Sequence, residues 1–131
     1  MFKFLEHTSD ELLYVEAENF KNAVSDLANG MIYLMETKSD EKSVITVQYK
    51  NEKLEDFVVR LLEKIIAEIE TRPFHPVRAE VLEAKEKPYY AKIKLYGEKK
   101  TPPNPIKAVT YHMLTAKKEK GKYIFRVLFD I

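Results

Sequence analysis

Apolar residues recur at three- and four-residue steps in two segments of the chain. The first segment follows Asn19 and has apolar residues at Phe20, Ala23, Val24, Leu27, Ala28, Met31, Leu34 and Met35. The second runs from about Glu52 to Glu70 and has them at Leu54, Phe57, Val58, Leu61, Leu62, Ile65, Ile66 and Ile69. Because this spacing puts residues on one helix face, the pattern predicts two amphipathic helices. Asn19 is a candidate N-cap, and Gly30 inside the first helix predicts close packing there.

Elsewhere apolar residues alternate with polar ones or fall in short runs, which is typical of β-strands. Two strands are predicted before the first helix, one between the helices and four after the second. They are Phe2–His7, Leu12–Ala17, Ser43–Lys50, Val77–Glu86, Tyr89–Tyr96, Lys107–Ala116 and Tyr123–Phe129. Pro88 and Lys120-Gly121 lie at predicted turns, so two hairpins are expected in the second half of the chain.

The order of these elements does not show the regular strand-helix alternation of a parallel doubly wound fold. It predicts an α+β fold in which two helices pack on one face of a mixed or mostly antiparallel sheet. A length of 131 residues with 45% apolar residues is enough for one core. We therefore expect a single domain over residues 1–131.

The charge balance and residue types exclude several classes of protein. The 22 basic and 21 acidic side chains give a formal net charge of +1, so there is no bulk attraction to nucleic acid or to a membrane. With no cysteine, the chain has no disulfide and no thiolate metal site. The sequence has neither a secretory leader nor an apolar run of spanning length. We expect a cytoplasmic protein without a membrane partner.

Acidic residues from distant parts of the sequence form a candidate metal site. Asp130 and the α-carboxylate of Ile131 are one residue apart, and Asp10 lies on the connection between the first two strands. Hard divalent cations such as calcium and magnesium prefer several oxygen ligands, so these three residues could share one ion. The neighbouring Glu11 is left out because adjacent side chains on an extended strand point to opposite faces. The alternative is that the acids are simply solvated.

Motifs of the common enzyme classes are absent. There is no glycine-rich phosphate loop, no His-Glu-x-x-His helix, no dinucleotide fingerprint and no cysteine nucleophile. The three histidines are His7, His75 and His112, and a structural hydrogen-bonding role is the favoured interpretation for each. His75, on an expected proline-flanked loop, has the weakest claim to chemistry. We predict that the chain is not an enzyme, and we assign no catalytic residue.

Three short motifs together resemble the archease family. They are Phe4-Leu5-Glu6 followed by His7-Thr8-Ser9-Asp10, Lys107-Ala108-Val109-Thr110-Tyr111-His112, and Phe129-Asp130-Ile131. The motifs occur in the family's order, and the helices and strands between them also follow it. The resemblance therefore extends over essentially the whole chain.

Archeases are small protein cofactors of the RtcB-type RNA ligase, which joins tRNA exon halves during splicing. The resemblance implies that this chain promotes guanylylation of the ligase, supports multiple turnover and broadens the nucleotides that the ligase accepts. It also implies a metal site of Asp10, Asp130 and Ile131, with Ca²⁺ expected and Mg²⁺ or Mn²⁺ as alternatives. Candidate ligase-facing residues are His7, Lys107 and His112, and any contact with tRNA is expected to be indirect.

Two functions from other classes remain open at this point. The first is a chaperone-like adaptor for RNA-processing proteins, favoured by the lack of catalytic motifs and by four tyrosines that could be exposed: Tyr89, Tyr90, Tyr96 and Tyr123. The second is a metal-dependent phosphoryl hydrolase built on the same carboxylates. The hydrolase is disfavoured because no Lys, Arg or His accompanies the acids at a recognisable spacing.

Overall fold

The computed structural model describes residues 1–5, 10–36 and 38–131. In these ranges it contains strands and helices in an order that matches the predicted one. They are β1 (Phe2–Leu5), β2 (Glu11–Ala17), α1 (Phe20–Leu34), β3 (Ser43–Asn51), α2 (Leu54–Thr71), β4 (His75–Glu86), β5 (Tyr89–Glu98), β6 (Ala108–Glu119) and β7 (Lys122–Asp130). Neither helix is both long enough and apolar enough to cross a bilayer, as judged over the described ranges.

The strands form two sheets, and each pairing in the described part of the chain is antiparallel. The four-stranded sheet has the order β1-β2-β7-β6, and the three-stranded sheet has the order β3-β5-β4. This arrangement confirms the α+β class with two helices and mostly antiparallel strands. The strands divide into two sheets where one was expected. Strand β7 pairs with β2 and β6, whereas β3, β4 and β5 pair among themselves, and strand patterns alone do not specify these long-range pairings.

Both predicted features of α1 are present in the structure. The side-chain oxygen of Asn19 accepts a hydrogen bond from the backbone N–H of Asn22 at 2.8 Å, which makes Asn19 the N-cap. A Cβ at Gly30 would lie 2.7 Å from a methyl carbon of Leu13 on β2. Gly30 therefore allows the helix to approach the four-stranded sheet closely.

The two helices join the sheets into one core. Helix α1 packs against β2 and β4, and α2 packs against β3 and β6. We call the helix-facing side of the four-stranded sheet, with Leu13, Val15 and Phe129, its inner face, and the opposite side, with Leu12 and Leu128, its outer face. The largest fully buried side chains include Phe57, Phe74, Phe125, Phe129, Leu13, Leu27, Met31, Leu61, Leu62 and Ile65.

Strand β6 contains a wide bulge that the sequence pattern did not predict. Thr110 pairs with Leu128 and Thr115 with Arg126, so residues 111–114 of β6 lie opposite residue 127 of β7. Met113 in this bulge has a φ of 59°, in the left-handed region. The simple alternation expected for Lys107–Ala116 therefore ends after Thr110. Extra residues in one strand bend it and re-aim its side chains.

Candidate metal centre at one end of the four-stranded sheet

Three strand ends meet at one end of the four-stranded sheet. Glu11 at the start of β2 pairs with Phe129 near the end of β7. Ala108 at the start of β6 pairs with Asp130 on the other side of β7. The Lys107 N–H also donates a hydrogen bond to the Asp130 carbonyl at 2.9 Å. The antiparallel register thus brings the first and last motifs of the chain to the same place, which we call the aspartate end.

The register also relates the two predicted acidic ligands. The β2–β7 register ends at the Glu11–Phe129 pair, so Asp10 and Asp130 are each the next residue beyond that pair. Asp130 is on β7, and side chains alternate between the faces of a strand, so its side chain is on the outer face with Leu128. Asp10 lies on a bend just before β2. The two acids therefore lie at the same end of the sheet, where they could share one cation.

Some acids on the surface have side-chain partners, and these two do not in the described part of the chain. Glu41 is paired with Arg78 at 3.0 Å, and Glu86 accepts a hydrogen bond from the Tyr123 hydroxyl at 2.6 Å. Within residues 1–5, 10–36 and 38–131, no side-chain hydrogen bond or ion pair engages Asp10 or Asp130.

The donor atoms at this end suit a hard cation. The part of the chain that the structure describes has no group of three or more His, Cys, Asp or Glu side chains that could hold a metal. A site at the aspartate end therefore needs main-chain oxygens of Ile131, water or a partner's oxygen besides Asp10 and Asp130. An all-oxygen set fits calcium, magnesium or manganese, and does not fit the nitrogen and sulfur preferences of zinc.

A groove lies on the other side of the same sheet end. It has a volume of about 1280 Å³, and the residues that line it include Glu11, Lys107 and Ile131. Glu11 pairs with Phe129 and is on the groove side of the sheet. Lys107 also lines the groove, and its backbone N–H is bonded to the Asp130 carbonyl.

An aromatic trio of Phe2, Phe4 and Tyr33 lines the groove. The Phe4 and Tyr33 rings stack with their centroids 5.9 Å apart, and Phe2 meets each of them edge-on at 6.3 Å. Tyr33 is 67% exposed and lies off the apolar stripe of α1. The helix pattern did not select this residue because it records only the buried face. The sequence signal that could have identified Tyr33 is its position as an aromatic residue of α1 outside the apolar stripe.

The three predicted ligase-facing residues have different outcomes. His7 lies outside the described residues, as do Thr8 and Ser9. Lys107 lies directly beside Asp130 through its backbone hydrogen bond. His112 is exposed in the β6 bulge, where its N–H donates to the hydroxyl oxygen of Thr110 at 3.0 Å.

The β6 bulge is attached to α2 by polar contacts that the sequence did not reveal. The Tyr111 hydroxyl donates a hydrogen bond to an Asp56 carboxylate oxygen at 2.6 Å. This bond to a carboxylate raises the pKa of Tyr111, and the Tyr111 contact raises the pKa of Arg60 on the same helix. These contacts hold the strand segment that presents His112.

His75 is buried in the fold rather than placed on a loop. It is the first residue of β4, is 3% exposed, and neither ring nitrogen has a hydrogen-bond partner in the described part of the chain. The prediction of a loop position and a hydrogen-bonding role was therefore wrong for this residue. Burial lowers its pKa, and Lys100 lowers it further, so the ring is held neutral. Its backbone fits tightly against Gly97, where a Cβ would lie 2.0 Å from the His75 carbonyl oxygen.

Comparison with known proteins establishes the family. The model of the archease protein family matches residues 2–131, which is nearly the whole chain. The chain belongs to the archease family. The archease of Pyrococcus abyssi (strain GE5 / Orsay) is 29% identical over 136 residues, and the match covers 96% of this chain and 95% of that protein.

Solved structures agree with this archease in fold. A solution structure of a Methanobacterium thermoautotrophicum protein has a TM-score of 0.77 at 18% identity, covering 99% of this chain and 98% of that one. The crystal structure of a Thermotoga maritima archease, described as a possible chaperone, has a TM-score of 0.67 at 21% identity, covering 98% and 96%. These likenesses confirm the two-helix, two-sheet architecture.

Proposed function

We propose that this archease activates an RtcB-type RNA ligase, and that a divalent cation held by Asp10, Asp130 and main-chain oxygens of Ile131 is part of that activity. The observation that supports the proposal is the β2–β7 register, whose last pair, Glu11 and Phe129, has Asp10 and Asp130 as its next residues at the sheet end. Calcium is the favoured ion, with magnesium or manganese as alternatives. The role belongs to the cytoplasm, together with the ligase.

The chemistry of the ligase explains why a carboxylate pair would help. Guanylylation brings a nucleoside triphosphate to a histidine nucleophile, and negative charge on the phosphates must be neutralised in the transition state. A divalent cation supplies that neutralisation when it is bound. Asp10 and Asp130 would hold and orient the ion at an accessible end of the sheet. No covalent step takes place on the archease, so it acts as an activator and not as an enzyme.

The surroundings of the carboxylates agree with a contact to another protein. Lys107 is bonded to Asp130 just before β6 begins, and His112 lies in the bulge farther along β6. We assign Lys107 and His112, together with His7, to the surface that meets the ligase. A formal net charge of +1 gives little general attraction to RNA, so we expect the tRNA to be contacted through the ligase.

The test is multiple-turnover RNA ligation by a purified RtcB-type ligase with GTP. The unmodified chain should stimulate turnover, and Asp10→Asn and Asp130→Asn should each lose about tenfold or more of that stimulation because a charged ligand is removed. Asp40→Asn is the matched control, because Asp40 is an exposed aspartate on the connection between α1 and β3. Full stimulation by both Asp10→Asn and Asp130→Asn would exclude the proposed role of the carboxylates.

The identity of the cation can be measured without the ligase. Isothermal titration calorimetry with Ca²⁺, Mg²⁺ and Mn²⁺ should detect cation binding to one site. Asp10→Asn and Asp130→Asn should each abolish that binding, and Asp40→Asn should retain it. Binding that survives in both of the first two variants would place the ion elsewhere on the chain.

A chaperone-like adaptor is the second candidate function, and the exposed aromatic groove favours it. A patch formed by Phe2, Phe4 and Tyr33 could contact apolar segments of other proteins. An assay with an aggregating client protein separates the two functions. Suppression of aggregation with no effect on ligation would support the adaptor, whereas stimulation of ligation with no effect on aggregation would support the activator.

A further inference from the structure

Strand β1 is an edge strand of the four-stranded sheet and is paired only with β2 in the described part of the chain. Met1 and Glu16 exchange backbone hydrogen bonds of 2.9 and 3.0 Å, so they form a hydrogen-bonded pair. Hydrogen-bonded and non-hydrogen-bonded pairs alternate along antiparallel strands. The backbone groups of Lys3 and Leu5 therefore face β2, and those of Phe2 and Phe4 face outward.

The β4 edge of the three-stranded sheet is covered by helix α1. The Asn29 side chain on α1 accepts a hydrogen bond from the Ala79 N–H at 2.9 Å and donates one to the Ala79 carbonyl at 3.1 Å, as a neighbouring strand would. Among the described residues, no comparable group meets the outward N–H and C=O of Phe2 and Phe4. Edges of this kind are templates for strand addition.

The two faces of β1 differ in chemistry. The Phe2 and Phe4 rings project to the inner face, where they meet Tyr33 and form the apolar wall of the groove. Lys3 projects to the outer face, with its ammonium 5.5 Å from the centre of the Tyr14 ring, and Arg126 lies opposite Tyr14. An added strand would thus meet aromatic rings on one face and positive charge on the other.

We propose that β1 docks an extended segment of a partner protein, which adds to the sheet as an antiparallel strand. Apolar residues of the segment lie opposite Phe2 and Phe4, and an acidic residue lies opposite Lys3. Main-chain hydrogen bonds supply affinity in this mode, and alternate side chains supply specificity. A second copy of the chain fits less well, because pairing Phe2 with Phe4 of the other copy sets the two Lys3 side chains opposite each other.

The probe is a fluorescein-labelled peptide with the central residues Ile-Val-Glu-Val-Thr, measured by fluorescence anisotropy with the full chain. In the antiparallel register its two valines lie opposite Phe4 and Phe2, and its glutamate lies opposite Lys3. Saturable binding is expected. N-methylation of the two valine amides, which face β1, should abolish it, and N-methylation of the glutamate amide, which faces away, should leave it intact. No saturable binding, or equal loss with both modifications, would overturn strand addition.

Variants of the chain test the two faces separately. Lys3→Glu should weaken binding by about two- to fivefold and should favour a peptide with lysine in place of the glutamate. Tyr33→Ala should weaken binding of both peptides, whereas Leu82→Ala removes an exposed apolar side chain on β4 and should not. Unchanged binding by Lys3→Glu and Tyr33→Ala would place the peptide elsewhere.

Two further measurements separate this surface from the other proposals. Asp130→Asn should bind the peptide normally, because Asp130 is on β7, which β2 separates from β1, so failure of the metal proposal would leave this one standing. Analytical ultracentrifugation tests the alternative occupant. A dimer that the peptide dissociates would show that a second copy occupies β1, and it would overturn the assignment to a partner protein.

Discussion

The two ends of the β2–β7 strand pair differ in whether nearby acidic side chains have hydrogen-bond partners. At one end, which we call the tyrosine end, Ala17 pairs with Tyr123, and the Tyr123 hydroxyl is bonded to Glu86 at 2.6 Å. At the aspartate end, Asp10 and Asp130 follow the last β2–β7 pair, Glu11–Phe129, and no side-chain partner is found for either acid in the ranges that the structure describes. At the tyrosine end, the acid Glu86 has a hydrogen-bond partner within the protein. At the aspartate end, two acids are available to a bound cation or protein, which is the basis for assigning function to that end.

Aromatic side chains pack closely at the tyrosine end. The Phe20 ring lies 5.5 Å from Phe57, 5.5 Å from Tyr89 and 5.3 Å from Tyr123, measured between centroids. Tyr123 itself is only 2% exposed. Aromatic pairs at these distances add stability beyond their buried area. The tyrosine end should therefore control the stability of the fold, and the aspartate end should control its activity.

The largest expected effect is from Phe20→Ala. Removing a buried aromatic ring from this cluster should lower the free energy of unfolding by about 3–5 kcal/mol, because a cavity forms where four rings meet. Equilibrium unfolding in guanidinium chloride measures the change. Phe20→Leu, which keeps more of the volume, should cost clearly less. A loss below about 1 kcal/mol for Phe20→Ala would show that the ring cluster does not hold this end together.

Tyr123→Phe should have a smaller effect, about 1–2 kcal/mol, because it removes one hydrogen bond to a charged acceptor. Glu86 is 42% exposed in its side chain, so water can replace part of the lost bond. Tyr90→Phe is the matched control, since the Tyr90 hydroxyl bonds the neutral amide oxygen of Gln48 on the surface. Equal losses in the two variants would contradict a special role for the Tyr123–Glu86 bond.

The same bond predicts how stability depends on alkaline pH. Burial raises the pKa of Tyr123 above its ordinary value of about 10, and the Glu86 bond raises it further. Above that ordinary value the unfolded chain loses the Tyr123 proton while the folded chain keeps it, so unfolding becomes more favourable as pH rises. Denaturation at pH 8 to 11 should show a steeper fall in stability for the unmodified chain than for Tyr123→Phe. Parallel curves of stability against pH for the two proteins would show that the Tyr123 proton does not cause the alkaline fall in stability.

The smallest effect on stability is expected from Asp130→Asn. Without metal, the variant should unfold within about 0.5 kcal/mol of the unmodified chain, because Asp130 is exposed and its carboxylate has no described partner. Calcium chloride should raise the melting temperature of the unmodified chain and of Asp40→Asn, but not that of Asp130→Asn. A calcium-induced rise in melting temperature that persists in Asp130→Asn would show that the cation does not bind at the aspartate end.

The fold and the site could be predicted to different depths. Helix faces, the Asn19 cap and most strands follow from local spacing, and the types of Asp10 and Asp130 already indicated an oxygen-ligand site. That these two residues lie at the same end of the sheet depends on the pairing of β7 with β2, which joins the two ends of the chain. Local patterns carry no information about such a pairing.

The β6 bulge and the groove could not be predicted for other reasons. Met113 adopts a left-handed conformation without being a residue type that favours it, because the Tyr111–Asp56 bond and the strand pairing on either side constrain the segment. The groove depends on Tyr33, which lies outside the apolar stripe that predicted α1. Both features arise from contacts between elements and not from patterns within one element.

The most direct test of the account is the transfer of labelled GMP from GTP to the active-site histidine of an RtcB-type ligase. The unmodified chain and Asp40→Asn should accelerate this single step. Asp10→Asn and Asp130→Asn, although folded as judged by their unfolding curves, should not. Equal acceleration by all four proteins would contradict the claim that the aspartate end serves the ligase.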